Sequence, residues 1–158
     1  KYFIRQSHMQ SASLKRIQKE LKEFNQEAVQ LNCTGGPNGD NLTKWLVILS
    51  PPESSLYFGA KIQFSVDFVE GYPFQPPNIT ILTKVFHPNI IDDKICIEMI
   101  KKDWAAQTTI KQVFYQIITM LDDPSCATPL NHDAANLYQH DLTKYKETVK
   151  QWIEQYAK

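Results

Sequence analysis

Leu14, Ile17, Leu21 and Phe24 recur three and four residues apart, the spacing of one buried helix face. With Ser13 as the N-cap, this predicts a first helix over residues 13–28. Residues 1–12 show no such period and are expected to be an N-terminal extension, loose or in part the remnant of a cloning junction at Ser7-His8-Met9. The turn-rich run at 35–40 suggests a hairpin between strands at 29–33 and 44–49. Ile62, Phe64, Val66 and Phe68 alternate with polar residues and predict a third, half-buried strand; residues 79–82 predict a fourth. Links this short imply an antiparallel meander with one face on the first helix and the other partly open.

Further along, Thr109-Ile110-Lys111-Gln112 reads as a capping box. Ile110, Val113, Phe114, Ile117, Ile118 and Leu121 then form an apolar face too wide for a surface helix, so this helix is expected to be central and buried. Pro124 and Pro129 bracket a loop. Asn131 should cap a short helix to about residue 139, and a last helix should follow from Asp141, with Tyr145, Val149, Trp152 and Tyr156 inward. The expected class is α+β: an N-terminal helix, a four-stranded antiparallel meander, a buried central helix and two C-terminal helices. Residues 13–158 read as one domain.

Composition narrows the function. The 158 residues are 42% hydrophobic and 22% charged, with 17 basic side chains balancing 17 acidic ones. A neutral chain argues against nucleic acid as the partner, because phosphate binding needs a concentrated cationic surface. No apolar run approaches a membrane span and no leader pattern opens the chain, so no membrane partner is expected. Three cysteines, Cys33, Cys96 and Cys126, have neither a disulfide framework nor metal-site spacing. No metal is expected, and the expected compartment is reducing, cytoplasmic or nuclear.

The chemistry concentrates between His87 and Trp104. Cys96 lies between Ile95 and Ile97, seven residues after Asn89, which Pro88 sets on a rigid bend. A carboxamide held near a sulfur can donate to an oxyanion forming on an acyl-sulfur carbon. Taken alone, a thiol between isoleucines reads more readily as a small core residue.

Four motifs in order, Tyr72-Pro73-Phe74-Gln75-Pro76-Pro77, His87-Pro88-Asn89, Ile95-Cys96-Ile97 and Trp104, give the chain a resemblance to the ubiquitin-conjugating enzymes, of the small type that is little more than the catalytic domain. It covers about residues 13–158. The resemblance implies that Cys96 accepts ubiquitin as a thioester from an activating enzyme and passes it to substrate lysines, usually with a RING-type or HECT-type ligase. Asn89 matches the residue that supports the oxyanion; His87, Ser125, Thr128 and Glu98 are candidates for active-site support. Phe74 matches the first ligase-binding loop and Trp104, Ala105 and Ala106 the second, while Lys15, Arg16 and Lys19 match helix residues that contact the activating enzyme and ligases. Thr34 matches the open sheet face that binds a second ubiquitin. A monomer is expected, with no cofactor, since ATP is consumed upstream.

The chain also departs from the family's usual pattern. The His87-to-Cys96 link is one residue short and lacks a glycine, and Ala105-Ala106-Gln107 replaces a common Ser-Pro-Ala. Ser125 and Thr128 stand where asparagine and aspartate are common. Other readings are a conjugating enzyme for a different ubiquitin-like modifier, a cysteine hydrolase using a histidine base, and a non-catalytic binding module. The eight-residue gap from Cys96 to Trp104 lacks the insertion of the SUMO-conjugating branch.

Overall fold

The computed structural model describes residues 2–27, 29–96 and 101–158. Helix α1 (Tyr2–Glu27) leads into strands β1 (Cys33–Asn38), β2 (Asn41–Leu49), β3 (Ile62–Asp67) and β4 (Asn78–Ile81), which form an antiparallel sheet in sequence order. A small hairpin of β5 (Ile90–Ile91) and β6 (Lys94–Ile95) precedes helices α2 (Ile110–Asp122), α3 (His132–His140) and α4 (Leu142–Tyr156). The expected α+β architecture is present, with the hairpin added.

The sheet's inner face is set by alternation and register. Val47 pairs with Phe64 and Leu49 with Ile62, and all four are buried. Ile79 and Ile81 continue that face onto β4. Helix α2 begins at the capping box: Thr109 accepts from the Gln112 backbone N–H, and the Gln112 side chain accepts in return from the Thr109 N–H. It packs against both α1 and the sheet, with Phe114 meeting Phe24 and Phe64 edge-on at 5.8 and 5.4 Å. Edge-to-face rings place positive edges on negative faces, adding to the burial of large apolar area.

Several boundaries differ from those expected. Helix α1 begins at Tyr2, not Ser13, and residue 28 lies outside the described residues. Apolar periodicity marks the face a helix buries, not where its backbone hydrogen bonding starts. The Ser13 hydroxyl donates to the Tyr72 carbonyl instead of capping the helix, and Leu14 is exposed whereas Ile17 and Phe24 are buried. Residues 29–32 form a turn, with Val29 exposed and Asn32 at φ 53°; β1 starts only at Cys33. Gly35, Gly36 and Pro37 belong to the strand. On an edge strand proline costs no ladder bond, and a Cβ on Gly35 would lie 2.5 Å from the Leu46 carbonyl oxygen on β2. The reversal is at Gly39–Asp40, with Gly39 at φ +66°. On α4, Tyr145 and Val149 are buried and Trp152 half-buried as expected, but Ile153 takes the inner place assigned to Tyr156. Tyr156 is exposed, with Lys84 Nζ 5.2 Å from its ring centre.

Candidate active site

The site is built on the bend from His87 to Cys96. The His87 ring is fully buried; its Nδ1 accepts from the Asn89 N–H at 2.9 Å, which leaves Nε2–H to donate to the Met120 carbonyl at 3.0 Å. Both nitrogens are therefore committed to the backbone. Burial pushes the imidazole's pKa down to about 4. His87 is a neutral bolt between the bend and the end of α2, and it cannot be the general base that a cysteine hydrolase needs.

The depressed pKa gives a pH prediction. Above pH 6.5 folded and unfolded chains both hold neutral His87, and its contribution is fully present. As pH falls, the unfolded chain is protonated first, so stability declines until the folded pKa near 4. Between pH 7 and 4.5 this removes roughly 2–3 kcal/mol. Denaturant unfolding should show His87→Gln with a correspondingly shallower slope than the parent over that range, whatever its absolute stability.

Asn89 is buried, and its side chain reaches the loop after α2. Nδ2 donates to the Ser125 carbonyl at 2.7 Å and Oδ1 accepts from the Ser125 N–H at 2.9 Å. The Pro88 carbonyl accepts from Leu130 and Asn131, pinning the other end of that loop. Ser125 thus joins the site through its backbone, while Thr128 is exposed three residues further on.

The Asn89 carbonyl accepts from the Cys96 N–H at 2.9 Å, extending the β5–β6 ladder to the cysteine. Cys96 is half-exposed and lines a groove of about 550 Å³ with Leu130, Thr80 and Asn78. The other thiols differ. Cys33 is buried and its pKa pushed up to about 12; partial burial also pushes Cys126 up. Glu98 and Ile97 lie outside the described residues. Among the described residues no cluster of histidine, cysteine, aspartate and glutamate could hold a metal ion.

The expected ligase loops lie side by side. Phe74 is 80% exposed, whereas Trp104 is half-buried and donates through Nε1 to the Pro73 carbonyl at 2.8 Å. Trp104 therefore anchors one loop to the other. Ala105 is exposed and Ala106 half-buried. Lys15 and Lys19 are exposed on α1, but Arg16 is not free: it pairs with Glu20 and donates to the Ala106 and Thr108 carbonyls at 2.8 and 3.0 Å. Thr34 is exposed on β1, on the open side of the sheet.

Glu20 was not singled out in the sequence. Its buried carboxylate accepts from Arg16, from the Tyr72 hydroxyl and from the Ile110 N–H at the start of α2. The available signal was position: Glu20 falls on the same stripe as Ile17 and Phe24. A carboxylate on a buried stripe has to be paired.

The sequence matches the model of the ubiquitin-conjugating enzyme family over residues 16–153. The chain belongs to that family. A Toxoplasma gondii ubiquitin conjugating enzyme E2 domain is similar, with 27% identity, a TM-score of 0.81, and coverage of 91% of this chain and 98% of that one. A Plasmodium yoelii protein assigned provisionally as a ubiquitin conjugating enzyme matches at 29% identity and a TM-score of 0.85, covering 92% of this chain and 95% of that one. Family and fold mark this as a conjugating transferase scaffold, of a kind that works with a modifier, an activating enzyme and ligases in general. No helix among the described residues is long and apolar enough to cross a membrane.

Proposed function

We propose that this chain accepts ubiquitin as a thioester on Cys96 and transfers it to substrate lysines, assisted by a ligase. The observation that carries this is a half-buried thiol lining a groove, on the same bend as a histidine that has no free nitrogen. Thiol-to-thioester exchange conserves bond types and needs little driving force. The thiolate is the attacking species and requires no adjacent base when the donor is already activated. A carrier needs this restraint, because a strong base would hydrolyse the thioester it is meant to hold. No metal or organic cofactor enters the chemistry.

The test is a charging assay with ATP, offering ubiquitin and other ubiquitin-like modifiers, each with its own activating enzyme. A ubiquitin adduct that reductant removes is the expected result. Charging by another modifier alone would assign the chain to that modifier, and no adduct with any would overturn the reading.

The loop from Tyr72 to Pro77 is the proposed ligase contact, beside Ala105 and Ala106, with Lys15 and Lys19 facing the activating enzyme. Phe74→Ala should leave the melting temperature within a few degrees, because an 80% exposed ring contributes little to the core. Ligase-stimulated discharge should fall markedly. A stability loss of about 3–5 kcal/mol, the cost of emptying a buried aromatic site, would contradict this placement.

A further inference from the structure

Residues 72–77 and 104–108 form neither helix nor strand, so no backbone ladder fixes where these two loops stand. Side chains do it instead. From α1, the Ser13 hydroxyl donates to the Tyr72 carbonyl, and the Glu20 carboxylate accepts from the Tyr72 hydroxyl. Arg16, one turn before Glu20, donates to the Ala106 and Thr108 carbonyls of the second loop. Trp104 Nε1 donates to the Pro73 carbonyl, joining loop to loop. The three connections close a triangle of α1 and the two loops. Glu20 is its shared corner: besides the Tyr72 hydroxyl, its carboxylate accepts from Arg16 Nε at 2.6 Å and from the Ile110 N–H of α2 at 2.8 Å. The bond at Nε aims the rest of the planar guanidinium at the two carbonyls. A buried carboxylate is stable only while such donors surround it, which ties the corner's bonds to one another.

We propose that Glu20 is a positioning residue for ligase recognition, holding both loops through Arg16 and Tyr72 at the spacing a ligase reads. This rests on the proposal that the two loops are the ligase contact. Glu20 is 3% exposed and Tyr72 1%, so neither the carboxylate nor the hydroxyl it accepts from can touch a partner. What a partner meets is Phe74 and Ala105, both exposed on the frame that these bonds hold. Loops already fixed in the free protein bind without losing conformational freedom, and that saving appears as affinity. A loosened triangle presents the same exposed side chains, but the ligase has to order them, so affinity falls while the bound complex reacts as before. The bend that carries Cys96 is held by other bonds, from His87 to Met120 and from Asn89 to Ser125. Discharge without a ligase therefore does not depend on Glu20.

The experiment charges the full chain with ubiquitin to completion and measures discharge to free lysine against the concentration of an isolated RING domain. The domain used is the one, from a panel, that stimulates the parent most. Glu20→Gln should raise the half-saturating RING concentration about tenfold or more, with the rate at saturation and the ligase-free rate within about twofold of the parent. Tyr72→Phe keeps the ring against Phe68 and Trp104, at 4.8 and 5.9 Å, and loses only the hydroxyl. It should raise the same concentration, and the double variant should be no weaker than Glu20→Gln, because both act at one corner. Unchanged half-saturation in either variant would overturn the proposal. So would additive effects in the double variant, or a ligase-free rate that falls in step with the stimulated one, the mark of a role in stability alone. A parent that charges but that no RING domain stimulates would instead overturn the ligase-contact reading, and this proposal with it.

Discussion

Cys96→Ala should form no reductant-sensitive adduct with ubiquitin under conditions in which the parent charges fully, whereas Cys33→Ala and Cys126→Ala should still charge. The thiols sit in different surroundings. Cys33 is 1% exposed, its Sγ donates to the Leu31 carbonyl, and burial holds its pKa near 12. A thiol in that state supplies almost no thiolate at neutral pH, and no partner protein can reach it. Cys126 lies on the loop after α2, and its partial burial also disfavours the thiolate. Cys96 lines a groove, and its backbone N–H is fixed at the end of β6. Non-reducing gels with and without reductant read the result directly. An adduct surviving Cys96→Ala would remove the assignment.

The second large effect is expected at Asn89. Its Oδ1 and one Nδ2–H are bonded to Ser125, 36 residues away, which leaves the second Nδ2–H for an oxyanion. Asn89→Ala should slow transfer from Cys96 to lysine by on the order of a hundredfold, the cost of losing one such donor. Loading of Cys96 should slow far less, because a thiolate nucleophile and a thiolate leaving group make that exchange less demanding. Loss of both bonds to Ser125 should also lower stability by about 1–3 kcal/mol. Asn89→Asp separates the two roles: a carboxylate still accepts from the Ser125 N–H but has no N–H for the Ser125 carbonyl or an oxyanion. Single-turnover loading and discharge, measured on both variants beside their unfolding curves, would decide. Equal slowing of loading and discharge would mean that Asn89 acts only by holding the loop.

Much of the scaffold was legible from local chemistry. The capping box at Thr109 joins residues three apart, so adjacent sequence contains both partners. Alternation at Ile62, Phe64 and Val66 needed no knowledge of what lies opposite. The register of His87, Asn89, Cys96 and Trp104 carried the family resemblance, and the family match agrees with it.

What the sequence could not decide was which distant groups meet. Gly35 and Pro37 have the composition of a turn, and only the close approach of β2 makes them a strand. Arg16 and Lys19 both read as charges on a helix face. Yet Arg16 is committed to carbonyls some ninety residues away, while Lys19 remains exposed. Glu20 became a buried junction of α1, Tyr72 and α2 because three donors from separate parts of the chain converge on it. Asn89 holds Ser125 for the same reason. Propensity and periodicity depend on neighbours along the chain and were readable from the sequence. The partners of buried polar groups depend on how the elements pack, and only the tertiary structure fixed them.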